Sequence, residues 1–231
     1  MDPLAQELNE IIQKQAPTLF QMLSRLGKAL YFPKGILSQT AEAQKKATKY
    51  NATTGIATEG AEPMYLPCVQ KWIRELPPQE TYTYAAGAGK PQLREKWREK
   101  LLNDNPSLHG KIFSLPMVTG GITHGLEVVS DLFIDPGDAV ISPDKYWENY
   151  NLIFEVRKEA KIHTFPLFDS SGKFNTPGLK NLINELSSWK EKLILIFNFP
   201  NNPTGYTISP EEGKEIIEAI YETAQKGTNL V

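Results

Sequence analysis

The chain has 231 residues, 40% of them hydrophobic, enough for one large domain with an appendage and a sizeable buried core. Its 25 Lys and Arg against 27 Asp and Glu leave a net charge of −2, which excludes a polycationic face for nucleic acid and makes small molecules the expected partners. Cys68 is the single cysteine and there are three scattered histidines, which excludes an intramolecular disulfide, argues against a Cys/His metal cluster and fits a reducing compartment. The start MDPLAQELNE is acidic and polar, and no apolar run approaches the roughly 20 residues that span a bilayer, so a soluble, cytoplasmic protein without a membrane partner is expected.

Leu8, Ile11 and Ile12 before Pro17, and Leu19, Leu23, Leu26 and Leu30 after it, recur at helical spacing. They predict two amphipathic pieces, an N-terminal helical arm or part of a small domain over residues 1–49. From about residue 80 the pattern alternates. Helices are predicted at 92–103, 123–134, 147–158, 176–188 and 210–226, and strands at 113–119, 139–142, 162–166 and 192–199. That order is α/β, a mostly parallel open sheet with flanking helices, placed in residues 50–231. Thr228, Asn229, Leu230 and Val231 follow the Gly227 stop signal and read as a strand just begun. The expectation is an incomplete sheet, the first part of a longer protein.

In open α/β sheets ligands collect where strands end, so the loops after strands are the candidate sites. In Thr119-Gly120-Gly121-Ile122-Thr123-His124-Gly125 a strand runs through two glycines into a helix, whose free N–H groups and Thr123 hydroxyl suit a phosphate. The plain alternative is an ordinary turn with Thr123 as a cap. The next loop, Ser142 to Tyr150, carries Trp147, which can stack on a planar ring or simply pack. In the third, Asn201-Asn202-Pro203-Thr204-Gly205, the Asn202 amide can donate to a ligand oxygen while Pro203 and Gly205 fix the return. Other fingerprints fail. Gly87-Ala88-Gly89-Lys90-Pro91 has Tyr84 and Pro91 where a P-loop needs Gly and Ser or Thr, and no G-x-S-x-G occurs. His109, His124 and His163 show no partner pattern, and His109 and His163 read as solvated surface.

Taken in order, these motifs resemble the class I/II aminotransferases, fold type I enzymes that use pyridoxal 5′-phosphate, over roughly residues 50–231. Asn202-Pro203-Thr204-Gly205 carries most of the likeness; it implies that Asn202 hydrogen-bonds the phenolic oxygen of the cofactor ring. Trp147 matches the aromatic residue stacked on that ring, and Gly121, Ile122 and Thr123 match the phosphate cup. The run Tyr84 to Arg94 resembles the family's Y-x-P-x-x-G-x-x-x-L-R stretch, with Ala86 in place of the usual Pro. The implied role of Tyr84 is to reach the cofactor phosphate of a neighbouring subunit, hence a homodimer. Gly55, in Thr53-Thr54-Gly55-Ile56, resembles the glycine beside the substrate carboxylate.

The resemblance implies transfer of an amino group from an L-amino acid, commonly aromatic or dicarboxylic, to a 2-oxo acid. The family's pyridine-nitrogen Asp, its Schiff-base Lys and its carboxylate-gripping Arg have no counterpart before Val231. The chain itself is therefore expected to hold no catalytic residue, to be inactive and to bind no cofactor by itself. Three alternatives remain open: a lyase or synthase of the same fold, a non-catalytic ligand-sensing module, and a nucleotide-binding protein, the last disfavoured by the failed P-loop.

Overall fold

The computed structural model describes residues 1–23, 25–31, 39, 42, 43, 45–50, 53, 58–60, 62–72 and 86–231. They fall into two compact units, Met1–Gln39 with Leu126–Val231 as the first and Thr40–Gly125 as the second.

Among the described residues of 1–31 the N-terminal segment forms three short helices rather than two. Asp2 caps α1 (Pro3–Gln15), its Oδ1 accepting from the Leu4 N–H at 2.8 Å, and Pro3 takes the first helical position, where a missing N–H does no harm. Pro17 opens α2 (Pro17–Met22), which stops where Leu23 turns extended, and α3 (Arg25–Ala29) follows. The Asn9 amide donates to the Lys28 carbonyl at 2.7 Å and ties the first helix to the third.

In the second unit β1 (Thr58–Glu59) and β2 (Glu62–Pro63) pair antiparallel, followed by α4 (Pro67–Gln70) and α5 (Pro91–Asp104). The strand expected at 113–119 is absent. A strand needs a ladder partner, and no described strand pairs with this segment. Arg94 holds it instead, its Nε donating to the Pro116 carbonyl at 2.6 Å, and the Val118 N–H donates to the Ala88 carbonyl at 3.0 Å. Val118 comes so close to Gly89 that a Cβ there would lie 2.3 Å from its Cγ2, so only glycine fits.

Helix α6 (Ile122–Phe133) leads to the sheet of the first unit: β3 (Ala139–Pro143), β4 (Lys161–Phe165), β5 (Lys192–Leu195) and β6 (Asn229–Leu230). All pairings are parallel, in the order β4-β3-β5-β6. The helix expected at 147–158 winds wider, as a π-helix over Asn151–Val156, with the Arg157 N–H reaching the Leu152 carbonyl. Helix α7 (Thr176–Ser187) is capped by Asn175, and α8 (Pro210–Gln225) by a reciprocal Ser209–Glu212 capping box.

Because both faces of β3 are covered, all five of its residues are buried. Alternation splits them. Ala139 and Ile141 pack with Leu179, Ile183, Leu193 and Ile216 beneath α7 and α8, whereas Val140 packs with Ile194, Tyr150, Ile153 and Phe154 on the opposite face. The two clusters clamp the sheet and fix where its carboxyl-end loops begin.

Candidate functional site

Parallel β3 and β5 lie side by side, so the loops after Pro143 and after Leu195 leave from the same rim. A bond between the loops joins them: Asn201 donates from its Nδ2 to the Lys145 carbonyl at 3.0 Å. Asn201 is 5% exposed and fully used. Its Oδ1 accepts from the Thr204 hydroxyl at 2.7 Å and the Thr204 N–H at 3.2 Å, its N–H donates to the Tyr206 carbonyl, and its own carbonyl accepts from the Gly205 N–H at 2.6 Å. Gly205 closes the turn at φ +74°. Asn202 next to it is exposed, and its carboxamide makes no hydrogen bond among the described residues. The two carboxamides divide the work, one building the loop and the other left open at the rim. Sequence reasoning singled out Asn202 and missed the role of Asn201, although an Asn three residues before a Thr is a turn-forming pattern in its own right.

Trp147 is half-buried, edge-on to Tyr150 with ring centroids 5.8 Å apart, and it packs against the Val140–Tyr150 cluster. Its loop is pinned at its start. Asp144 Oδ1 accepts from the Leu167 N–H at 2.8 Å, Oδ2 pairs with Lys145 at 2.6 Å, and the Asp144 N–H donates to the Phe165 carbonyl. Burial alone pushes the Asp144 carboxyl up, but the Lys145 ammonium and the Leu167 N–H outweigh it and hold the group below the usual carboxylate range. Trp147 and Asn202 thus stand on two loops of one rim, each loop fixed by its neighbour residues.

Gly121, Ile122 and Thr123 stand in the second unit, where α6 begins. Gly121 has φ +139°, and the Thr119 hydroxyl donates to its carbonyl at 2.9 Å. His124 folds back so that its Nδ1 accepts from the Gly120 N–H at 3.0 Å, which places the ring proton on Nε2. Thr123 lies in the first turn of the helix, exposed and without a hydrogen bond among the described residues, so it is not a cap. Its hydroxyl and the unpaired first-turn N–H groups remain open, the donor set that an anionic group takes at a helix N-terminus. Tyr84 and Gly55 lie outside the described residues.

In the first unit the carboxamide and the indole suit a ring oxygen and a ring face, and in the second unit the open amides and the hydroxyl suit an anion. A groove of about 670 Å³ between Lys173, Phe174, Tyr206 and Glu215 contains none of them. Its wall is a structural network. Buried Glu212 accepts from the Tyr206 hydroxyl at 2.6 Å, the Ser209 N–H at 2.7 Å and the Phe174 N–H at 2.8 Å. Burial acts to raise the Glu212 carboxyl, yet these three donors hold it below the ordinary range. Among the described residues no group of three His, Cys, Asp or Glu could hold a metal ion, and no helix is long and apolar enough to cross a membrane.

The family model described as aminotransferase class I and II matches residues 53–224. A probable aspartate/prephenate aminotransferase of Aquifex aeolicus (strain VF5) is 33% identical over 143 residues, 60% of this chain and 34% of that protein. An aspartate aminotransferase of Bacillus sp. (strain YM-2) is 30% identical over 145 residues, 62% of this chain and 35% of its own length. Among solved structures, an aminotransferase from Anaerococcus prevotii DSM 20548 superposes with a TM-score of 0.78 at 25% identity, over 90% of this chain and 52% of that one. The cytoplasmic aspartate aminotransferase of Saccharomyces cerevisiae shares the fold, with a TM-score of 0.67 at 21% identity over 90% of this chain and 50% of its own. The chain spans about a third of the length of these curated relatives and about half that of the solved structures. With most of its residues inside the family match, and the fold of the family in its sheet and helices, this chain belongs to the class I and II aminotransferases.

Proposed function

We propose that the whole protein is a pyridoxal 5′-phosphate-dependent aminotransferase that moves an amino group from an L-amino acid to a 2-oxo acid. The observation that carries this reading is the rim itself: Asn202, its carboxamide free of hydrogen bonds among the described residues, is held beside the Trp147 loop by the Asn201–Lys145 bond. When bound, the cofactor supplies a carbonyl that takes up the amino group and a ring that accepts the electron pair released at the substrate Cα. The Asn202 carboxamide would donate to the ring oxygen, and the Trp147 indole would cover one ring face and keep water from it. The α6 amides with the Thr123 hydroxyl would hold the phosphate. Tyr84 would reach the phosphate of a second subunit in a homodimer, and Gly55 would lie beside the substrate carboxylate.

A dicarboxylic donor is the reading favoured by the two curated relatives, both of which carry names with aspartate in them. Biosynthetic amino-acid chemistry in the cytoplasm is the setting that fits. No residue of 1–231 matches the family's Schiff-base Lys or its pyridine-nitrogen Asp, so these residues by themselves are proposed to hold an anion at α6 without turning over substrate. The test is amino-group transfer by the whole protein from L-aspartate and from aromatic amino acids to 2-oxoglutarate, with and without added pyridoxal 5′-phosphate. Cofactor-dependent turnover is expected, fastest with aspartate. No turnover with any donor, in a protein that binds the cofactor, would overturn the reading in favour of a lyase or a sensing module.

A further inference from the structure

The sheet face beneath Trp147 changes character one layer below the rim. Ile162, Val140 and Ile194 form an apolar row across β4, β3 and β5, and Tyr146, Trp147 and Tyr150 belong to the same packed cluster. Two residues nearer the carboxyl ends, the register sets Thr164 beside Ser142, and the two-residue period of a strand puts both on this same face. Thr164 is exposed. Ser142 is not: it is 1% exposed, and its Oγ has no hydrogen-bond partner among the described residues.

A buried hydroxyl without a partner is less favourable than the methyl of alanine in the same place. Packing therefore gives no reason for Ser142, since the apolar row below it shows what this face accepts. Its position does give one, because its strand runs directly into the loop that carries Trp147, and exposed Thr164 beside it is in contact with solvent. We propose that Ser142 is a positioning residue of the cofactor site, a role that rests on the function proposed above. Its hydroxyl is satisfied only in the loaded protein, by the phosphorylated ring or by one water that the ring traps against the sheet.

The test uses the whole protein as wild type, Ser142→Ala and Ser142→Thr. The probe is pyridoxine 5′-phosphate, which has the ring and the phosphate but no carbonyl and so binds without covalent attachment. Calorimetric affinity is measured beside the thermal stability of the unliganded protein. Ser142→Ala is expected to match or exceed wild type in unliganded stability while binding the probe about threefold to tenfold more weakly, the range set by one neutral hydrogen bond. Ser142→Thr, which keeps a hydroxyl, is expected to bind more tightly than the alanine variant. An alanine variant that is less stable or unfolded without ligand, or one that binds as wild type does, overturns the inference and leaves the proposed function standing. A folded wild type that binds neither this probe nor pyridoxal 5′-phosphate overturns both.

Discussion

Asn201 and Asn202 are adjacent and chemically identical, and what separates them is burial. Asn201 spends its carboxamide on the Lys145 carbonyl and on Thr204, so Asn201→Ala would strand one part-buried acceptor and two donors. A loss of about 1–3 kcal/mol in chemical denaturation is expected. Asn202→Ala removes an exposed group without partners among the described residues, and the expected change in stability is within about 0.5 kcal/mol. Affinity of the whole protein for pyridoxal 5′-phosphate should fall in the Asn202 variant. If the two stability effects come out equal, the division of labour between the two residues is wrong. Glu212 makes a prediction in pH. Its folded carboxyl titrates below the ordinary glutamate value of about 4.3, so the stability it contributes is complete above that value and is lost as pH falls through the lower folded one. Glu212→Gln should flatten the acid limb of the stability profile and leave its neutral limb unchanged in slope.

The elements that carry the rim are held from two sides at the scale of the sheet. Leu193 and Leu179 have no exposed surface and meet in the cluster beneath α7 and α8, while Val140 is equally buried in the opposite cluster. Leu193→Ala is expected to destabilise the first unit by about 2–5 kcal/mol, read as a lower denaturant midpoint with an unchanged slope. A loss under 1 kcal/mol would show that β5 is not clamped as described. Helix α6 stands apart because its apolar residues do not all face inward. Val129, Leu132 and Phe133 are 40%, 69% and 44% exposed, and Ile122, seven residues before Val129 and so on nearly the same side of the helix, is 78% exposed.

At the scale of the whole molecule that stripe predicts association, since exposed apolar residues grouped along one helix favour contact with another surface. Residues 1–231 are expected to self-associate with rising concentration in light scattering, and Leu132→Glu should shift the material toward monomer. Monomer at every concentration would count against the argument.

The sequence by itself determined the class of the fold and most of its elements. Alternating periods, the Pro and Gly stops and the Asn and Ser caps are local signals, and α5, α6, α7, α8 and the strands β3 to β5 lie close to where those signals put them. The family was legible for the same reason, because Asn202-Pro203-Thr204-Gly205, Trp147 and Gly121 to Thr123 are short motifs readable without contacts. The missing strand at 113–119 and the wide winding of Asn151–Val156 were not legible, because a ladder depends on a partner strand and a helical register on what packs beside it. Only the tertiary structure could show that Asn201 binds the loop of Lys145, 56 residues away in the chain, or that the hydroxyl of Ser142 is buried without a partner among the described residues. Both facts concern which polar atoms find each other once water is excluded, and that is decided by the packed sheet rather than by any stretch of sequence alone.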